Sequence, residues 1–379
     1  MNEPILAVSA FAATLVLALG LMPLAVTLGR RTGMVVRPRL FGQSFDSISY
    51  LGGAGVALSV CGTLLFGATL YGFHSAIWAA LLGSGMLLAF GIADDRIAPD
   101  MPPIGRLGVV ALTACMVWTA GLHPTPTDIP WADALLTVFF LTAATNAFNL
   151  LDNMDGIASS TAGATLGGIA VIAAMSSQHE ISLLAAALSG ASFGFVPHNL
   201  LRHQVYLGNG GALFLGFLVG CLTLLLDFPL EQPWGFASAI AILAIPAVDT
   251  TLVLISRAAS GRSVLKGGID HLSHRLAYLG MTTKQAAFVH AIGSLIGGGS
   301  VVLSIMADVP WLIGAVLVLF GAAMLVMLRI DVYTSAIDRD ELGRTLPERY
   351  RALSRRKSGR RQSRLLRSGR SRSAGGMRN

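Results

Sequence analysis

Charged residues are scarce in this sequence, in which only 12% of the 379 residues are Asp, Glu, Lys or Arg. A soluble globular domain carries about 25%. Hydrophobic residues make up 54% of the chain, and the shortage of charge extends along its length. This composition excludes an ordinary soluble domain and indicates that lipid is the surrounding solvent. The net charge of +7 does not indicate nucleic-acid binding, because the positive residues are gathered in loops and a tail.

Cysteine is also scarce, and its placement excludes two kinds of small site. Cys61, Cys115 and Cys221 all lie within apolar segments, at spacings that fit neither a disulfide framework nor a metal site. We interpret them as small core residues. The N-terminal apolar run has Glu3 before it and Arg30 after it, the reverse of the charge order in a secretory signal peptide. We therefore expect a retained first helix with its N-terminus in the periplasm.

Long apolar runs are what the sequence has in abundance. A membrane-spanning helix needs about 20 mostly apolar residues. The sequence predicts an all-α, polytopic membrane helix bundle of eleven spans, or ten because several runs are short and closely spaced. Many of the 43 glycines lie inside these runs, which favours close packing of the helices. The predicted spans are 4–28, 51–71, 76–93, 106–122, 131–149, 158–176, 181–198, 211–227, 234–256, 285–306 and 310–328.

The positive charges predict the orientation of the bundle. With a periplasmic N-terminus, every second gap between spans faces the periplasm. Those gaps contain no Lys or Arg and no dense polar cluster. All 27 Lys and Arg residues lie in the other loops or in the C-terminal tail. The positive-inside rule therefore predicts a multi-pass protein of the bacterial inner membrane with a cytoplasmic C-terminus.

Two regions follow from the same distribution. Residues 1–330 form the predicted membrane domain, and residues 331–379 form a basic cytoplasmic tail. Within the tail, residues 349–379 hold twelve Lys or Arg and no Asp or Glu. We expect this segment to be disordered and to lie against anionic lipid headgroups, with no nucleic-acid partner.

Every dense polar cluster lies on the predicted cytoplasmic side, and the first is a pair of neighbouring acids. Asp94 and Asp95 end the third predicted span in the motif GIADDR. Adjacent carboxylates repel each other unless a cation or a donor compensates them. A divalent metal or a general-base role would explain the pair, and neutralisation by Arg96 in a solvated loop is the alternative.

A second cluster ends the fifth predicted span, in the motif NAFNLLDNMDG. Asp152 and Asp155 share one face if the helix continues through them, and Asn146 and Asn149 repeat the spacing. Four such oxygen-bearing groups favour a site for a hard cation or a phosphate-sugar. Helix capping and a turn at Asp155–Gly156 are the alternative.

The long loop before the tenth span carries histidines and basic residues. His271 and His274 are three residues apart, and a zinc site would need a third protein ligand. Phosphate binding fits better, because Lys266 and Arg275 lie close by in the sequence, whereas the alternative is a basic loop at the membrane interface. Asp249 lies inside the ninth apolar segment, where an acid is costly and usually functional or paired.

These motifs resemble those of the polyprenyl-phosphate N-acetylhexosamine-1-phosphate transferase family. NAFNLLDNMDGIA is the most specific, and GIADDR, PAVDTTLVLISR and DHLSHRL accompany it in the right order. The resemblance extends from Tyr50 to Leu276 and leaves the tail outside. It implies that a polyprenyl phosphate attacks the β-phosphorus of a UDP-sugar. The products would be a polyprenyl-diphosphate sugar and UMP, with Mg²⁺ as the cofactor and Mn²⁺ as the alternative cation.

The resemblance also implies roles for individual residues. Asp94 and Asp95 match an aspartate pair that positions or deprotonates the lipid phosphate, and Asp152 and Asp155 match acids near the metal and the nucleotide-sugar. Asn149 matches an asparagine that binds Mg²⁺, and Asn209 is the second expected ligand. The residues expected to bind the substrates are Asn146, Asn199, Asp249, Lys266, His271, His274 and Arg275.

The sequence departs from the family at three places. The family usually has G-D-x-G-S with a Mg²⁺-binding aspartate, where this chain has Asn209 and Ala212 in G-N-G-G-A. A neutral ligand should hold a hard cation more weakly. Ser49 stands where a proline usually precedes the early Gly-Gly, and Arg202 and His203 stand where a Pro-Ala pair is common.

Several functions therefore stay open. The form of the histidine motif favours UDP-GlcNAc as the donor and an envelope glycan such as O-antigen as the product pathway. A phospho-MurNAc-pentapeptide transferase is the alternative within the enzyme family. The departure at Asn209 keeps open a weakened or inactive relative that binds lipid phosphate or scaffolds an assembly. A transporter is disfavoured, because the charged groups lie at helix ends rather than at the bilayer midplane. A homodimer is expected from the family alone.

Overall fold

The computed structural model describes residues 3–36, 39–40, 43–44, 47–97, 101–124, 127, 129–265 and 268–330. The predicted tail, 331–379, lies outside the described residues. Almost all of the described chain is helical. The helices are α1 Glu3–Thr32, α2 Gly52–Tyr71, α3 Ser75–Ile97, α4 Pro103–Thr119, α5 Pro130–Leu151, α6 Ile157–Met175, α7 His179–Val196, α8 Gly208–Leu225, α9 Trp234–Ile242, α10 Ala244–Ala259, α11 Leu272–Tyr278, α12 Thr283–Ala307 and α13 Trp311–Leu328.

The apolar helices confirm the predicted all-α, polytopic membrane fold. Within the described ranges, nine helices are long and apolar enough to cross a membrane. The pair α9–α10 makes a tenth candidate, and α4, which has 17 residues, occupies the predicted fourth span. The ninth span differs from the prediction because it is bent by 74° between α9 and α10. Pro246 explains the break, since its ring clashes with the carbonyl of residue 242, four positions earlier.

Three helices form the centre of the bundle. Most residues of α6, α7 and α8 are buried. α7 packs between α1 and α6, while α8 packs between α3 and α5. By contrast, α13 and the outer faces of α1 and α4 expose large apolar side chains, as lipid-facing helices do. The central helices therefore fix the positions of the helix ends at which the polar motifs lie.

Glycines let α8 lie directly on two neighbouring helices. A Cβ atom on Gly91 of α3 would lie 2.3 Å from the Gly210 nitrogen, and one on Gly53 of α2 would lie 2.2 Å from the Gly211 Cα. Any larger side chain would separate these backbones. The start of α8 is thereby held against the ends of α2 and α3, where the Asp94–Asp95 pair lies.

Two short antiparallel ribbons between α1 and α2 were not predicted. Val35–Val36 (β1) pairs with Ile48–Ser49 (β4), and Arg39–Leu40 (β2) pairs with Gln43–Ser44 (β3). Ser49 also donates its backbone N–H to the Gln204 carbonyl at 3.2 Å. A proline could not make this hydrogen bond, because it has no N–H.

The buried Ser49 side chain ties the same segment to α1. Its Oγ donates to the Ala25 carbonyl at 3.1 Å and accepts the Leu51 N–H at 3.2 Å. These bonds give a structural reason for the serine at a position where the family usually has proline.

The predicted periplasmic end of the bundle, opposite the acidic motifs, does contain a polar cluster, so the expectation that it has none was wrong. The Tyr71 hydroxyl donates to the Glu3 carboxylate, and the Tyr71 ring stacks on His179 with centroids 6.3 Å apart. His74 Nδ1 lies 2.6 Å from Glu180 Oε1. These five residues come from three distant parts of the chain, and the sequence alone did not show that they meet. The cluster ties the ends of α1, α2 and α7 together.

Candidate active site

The two neighbouring acids meet Asn209 at the start of α8. The Asn209 side-chain amide donates to Asp94 Oδ2 at 3.0 Å and to Asp95 Oδ1 at 2.8 Å. The Asn209 backbone N–H donates to Asp95 Oδ2 at 2.9 Å. One residue therefore supplies three donors to the carboxylate pair, which relieves the repulsion between two adjacent acids. The structure thus brings together three of the predicted site residues.

Arg106 of α4 completes the compensation of this pair, and the sequence interpretation missed it. Its Nε lies 2.7 Å from Asp94 Oδ2. The N–H does not point at that oxygen, so the contact is an ion pair rather than a hydrogen bond. Asp94 is only 2% exposed, and its Oδ1 is buried without a hydrogen-bond partner among the described residues. The signal was available, because Arg106 is the only Lys or Arg between Arg96 and Arg202.

Asp155 lies in a turn after α5, so the condition for a shared helical face with Asp152 is not met and the alternative of a turn at Asp155–Gly156 is what the structure has. α5 ends at Leu151, and Gly156, with φ of +78°, is the last residue of the turn that leads into α6. Glycine adopts this left-handed conformation at little cost, so the chain leaves the helix here. Asp152 and Asp155 therefore do not share one helical face.

The Asp155 carboxylate is held by two residues from the segment before α8. Asn199 donates its side-chain amide to Asp155 Oδ1 at 3.3 Å, and its own Oδ1 accepts the Gly156 N–H at 2.5 Å. His203 Nδ1 lies 2.8 Å from Asp155 Oδ2. His203, at a position where the family commonly has another residue, thus faces a predicted site acid. Through these two hydrogen bonds, Asn199 stabilises the turn at Asp155–Gly156.

The packing of α5 on α8 shows where Asp152 lies. Gly216 packs against Phe148, and Gly220 packs against Leu141, so the two helices are antiparallel. An α-helix advances about 5.4 Å per turn. One turn beyond Phe148 along α5 is Asp152, and one turn before Gly216 along α8 is Ala212. Asp152 therefore lies level with the first turns of α8, which also hold Asn209. This register connects the second acidic cluster with the first.

Asn146 and Asn149 lie one turn apart near the end of α5, and both are partly exposed. Neither side chain makes a hydrogen bond within the part of the chain that the structure describes. Their amide oxygens are therefore available to a ligand.

The histidine loop docks on the turn after α5. Ser273 Oγ donates to Asn153 Oδ1 at 2.6 Å, which places α11 beside the Asp152–Asp155 turn. The rings of His271 and His274 have centroids 5.7 Å apart. Asn153 and Ser273 were not predicted as site residues, although both lie inside the predicted motifs. Their contact places the histidine loop next to the second acidic cluster.

A buried ion pair supports the histidine loop from behind. Arg257 donates to both Asp270 oxygens, at 2.7 and 2.8 Å, and Arg262 Nη1 lies 3.4 Å from Asp270 Oδ2. Burial alone would raise the pKa of Asp270, but the hydrogen bonds and the charge of Arg257 hold that pKa below its usual range. The loop before α11 is therefore fixed by a charged network that was not predicted.

Replacing Arg257 with Ala is expected to destabilise the protein by about 3–5 kcal/mol, because the Asp270 charge would stay buried without its main partner. Arg257→Lys should restore only part of the loss, since Lys cannot bind both oxygens in the same way. The measurement is thermal unfolding in detergent, with the exposed Arg96→Ala as the control. A melting temperature for Arg257→Ala equal to that of the control would contradict the structural role.

Arg275 is engaged mainly within the protein. Its guanidinium donates to the Met327 and Ile330 carbonyls at the end of α13 and to Ser256 Oγ at 2.5 Å. This geometry fits an anchor for α11 better than an exposed phosphate ligand. Lys266, the other predicted cation, lies outside the described residues.

Tyr50 is a further side chain beside the acidic pair. Burial, together with the negative charge of Asp95, raises the pKa of the Tyr50 phenol above its ordinary value. Tyr50 therefore stays uncharged and can donate a hydrogen bond at neutral pH.

Sequence comparisons with known proteins cover the part of the chain that holds these residues. The sequence profile of glycosyl transferase family 4 matches residues 77–227, which include both acidic clusters and Asn209. A Streptomyces coelicolor protein named as a glycosyltransferase is 31% identical over 280 residues, which cover 69% of this chain and 66% of that protein. The chain belongs to glycosyl transferase family 4.

Two relatives of this family 4 transferase carry more specific names. A Bacillus subtilis protein named as an undecaprenyl-phosphate N-acetylglucosaminyl 1-phosphate transferase is 26% identical over 308 residues, covering 78% of this chain and 84% of its own. An Escherichia coli K12 protein, named as the α-N-acetylglucosaminyl enzyme of the same kind, is 26% identical over 272 residues, covering 68% of this chain and 72% of its own. This chain is accordingly a sugar-phosphate transferase.

The donors in the site of this family 4 transferase fit a hard divalent cation. Such a cation takes oxygen ligands, and Asp94 Oδ1 is a buried oxygen without a hydrogen-bond partner in the described chain. Asn149 adds a free amide oxygen. No cluster of three His, Cys, Asp or Glu side chains able to hold a metal is found among the described residues. Mg²⁺ is commonly bound by one or two carboxylates together with substrate phosphates, so this donor set suits a cation that the substrate completes.

Proposed function

We propose that this protein transfers GlcNAc 1-phosphate from UDP-GlcNAc to undecaprenyl phosphate, releasing UMP. A phosphate oxygen of the lipid forms a bond to the β-phosphorus of the donor. The bond from that phosphorus to the bridging oxygen breaks, and UMP leaves with the electron pair. The product is a lipid diphosphate sugar that begins an envelope glycan. The observation that carries the proposal is the meeting of Asp94, Asp95 and Asn209 in the region matched by the family.

The acidic pair suits the lipid side of the reaction. Asp95 is less buried than Asp94, and Asp94 is paired with Arg106. We therefore assign Asp95 to hold the lipid phosphate and to accept the proton of that phosphate when it carries one. Asp94 would position the lipid phosphate. The ends of α3 and α8 suit this role, because the lipid tail can remain in the bilayer while its phosphate reaches the helix ends.

The second cluster suits the donor side of the reaction. Asn149, Asn209, Asp152 and the Asp94 Oδ1 that has no hydrogen-bond partner in the described chain would hold Mg²⁺, which would supply charge neutralisation of the diphosphate when bound. Asn146, Asp155 and the histidine loop would contact the nucleotide-sugar. The docking of Ser273 on Asn153 supports this division, since it brings the histidines beside the acids.

We also propose that the site faces the cytoplasm of a bacterial inner membrane. Among the described residues, every Lys and Arg lies near this end of the helices or in the segments that join the helices there. The positive-inside rule then favours the cytoplasm, where UDP-sugars are available. The opposite end carries Glu3, Glu180 and two histidines instead.

The test is UMP release by the purified protein in detergent, with undecaprenyl phosphate and UDP-GlcNAc. We expect release that requires both the lipid and Mg²⁺ and that stops with EDTA. Parallel reactions with UDP-GalNAc and UDP-MurNAc-pentapeptide distinguish the donors. Release from the pentapeptide donor alone would favour the peptidoglycan enzyme. A lack of release from every donor would contradict the proposal.

Asn209 favours a second candidate, a weakened relative that binds lipid phosphate without efficient transfer. Its side-chain amide donates one hydrogen bond to each of the two carboxylates in the absence of a cation. Binding of undecaprenyl phosphate without UMP release would identify this function.

A further inference from the structure

Asp249 is an acid with no route to a substrate. Its side chain is fully buried, with 0% exposure, in the first half of α10. One carboxylate oxygen lies 2.8 Å from His271 Nδ1, and the other accepts the Leu272 N–H at 2.6 Å. Both oxygens therefore act inside the protein. Burying a charged carboxylate is costly, so we look for the role of Asp249 in its effect on the residues that it contacts.

The partner that matters chemically is His271. Because Asp249 accepts at Nδ1, that nitrogen carries a proton, and the ring cannot rotate without losing the bond. The other nitrogen, Nε2, makes no hydrogen bond among the described residues, and it is not sealed inside the protein. The carboxylate thus determines which ring nitrogen is presented to a ligand.

A second buried histidine, His290, lies near this carboxylate. The antiparallel helices α10 and α12 touch where Gly293 packs against Ile245, and one turn further are His290 and Asp249. His290 is completely buried, and its Nδ1 donates to the Ala286 carbonyl at 2.8 Å. Its Nε2 has no partner within the described chain. His290 therefore makes no hydrogen bond to Asp249 among the described residues and leaves the carboxylate to His271 and Leu272.

We infer that Asp249 is a positioning residue that fixes the His271 ring with Nε2 directed at the donor diphosphate. The histidine belongs to the N-terminal end of α11, which Ser273 docks on Asn153 beside the acidic turn. Asp249 thereby acts on the substrate through His271 and does not contact it. This inference rests on the proposed function and extends it to a residue within the bundle.

Three variants test the inference by steady-state kinetics. Asp249→Asn keeps the size of the side chain but can place an amide N–H against Nδ1, which would move the proton of His271 to Nε2. We expect kcat to fall by about 10–100-fold, the range seen when an orienting partner is removed, with KM for the lipid phosphate unchanged. His271→Asn keeps a donor near the Nδ1 position and lacks Nε2, so we expect a similar fall. The double variant should lose no more than the larger single loss.

The controls separate positioning from folding. Asp133→Asn replaces another buried acid, which accepts from Thr127 at the opposite end of α5, and should leave kcat unchanged. Equal losses of kcat and of melting temperature in Asp249→Asn and Asp133→Asn would reduce Asp249 to a structural role. Multiplying losses in the double variant would also overturn the inference, because independent residues give additive free energies.

A measurement without turnover distinguishes this inference from the proposed function. In protein labelled with ¹⁵N-histidine, NMR in detergent reports which nitrogen of His271 is protonated, with His271→Asn assigning the signal. We expect protonated Nδ1 in the wild type and a changed pattern in Asp249→Asn. An unchanged pattern would refute the positioning role even in an active enzyme. A changed pattern in a protein that releases no UMP would sustain the positioning and reject the proposed reaction.

Discussion

Replacing Asp95 with Asn is expected to lower UMP release by about 10²–10⁴-fold, the range lost when a general base is removed. The Asp95 oxygens accept the backbone and side-chain N–H groups of Asn209, so the carboxylate is already aimed by the start of α8. An amide has nearly the same size and retains one acceptor, but it cannot take a proton from the lipid phosphate. The measurement is the initial rate of UMP release at saturating Mg²⁺ and lipid phosphate.

Asp308→Asn is the matched control for this experiment. Asp308 ends α12 at the opposite end of the bundle with φ of +53°, a conformation that Asn tolerates well. We expect its rate to equal that of the wild type. Turnover of Asp95→Asn within about threefold of the control, less than even weak general-base catalysis contributes, would remove Asp95 from the reaction. Equal melting temperatures of the two variants would show that a lost rate reflects chemistry.

Much of the fold was predictable because membrane helices leave a strong signal in the sequence. A long apolar run has few alternatives in lipid, since every backbone group must be satisfied within the segment. The predicted spans therefore correspond to helices throughout the described chain. The break in the ninth span was missed, although Pro246 marks it, because the run is apolar on both sides. Hydropathy measures transfer to lipid and does not register a local clash.

The candidate site was predictable only in part, because pairing across the bundle depends on packing. The sequence placed Asp94 and Asp95 correctly at one helix end. It could not show that Asn209 would donate to both, since more than 100 residues separate them. Arg106 was passed over as the first residue of an apolar run. Asp249 was expected to bind a substrate, whereas its surroundings support the positioning role that we infer.

Changing Asn209 to Asp is expected to make the stability of the folded protein depend on Mg²⁺. In the wild type, the Asn209 amide donates to Asp94 at 3.0 Å and to Asp95 at 2.8 Å. An aspartate there would place a third carboxylate at hydrogen-bond distance from two others. Like charges at this separation destabilise one another unless a proton or a cation intervenes. Arg106 already forms an ion pair with Asp94. Its single positive charge would then have to balance three carboxylates, at positions 94, 95 and 209.

Asn209→Asp should therefore unfold at a lower temperature than the wild type in EDTA and recover in Mg²⁺. A ligand at 100 times its dissociation constant stabilises the folded state by about 2.7 kcal/mol, so the recovery should be readily measured. Asn209→Ala is the control, because it removes the donors without adding a charge, and its response to Mg²⁺ should not exceed that of the wild type. A monovalent salt at equal ionic strength separates binding from screening. If Asn209→Asp responds to Mg²⁺ no more than Asn209→Ala does, residue 209 does not face the cation. If it gains both the response and a faster UMP release, the asparagine is what weakens this transferase.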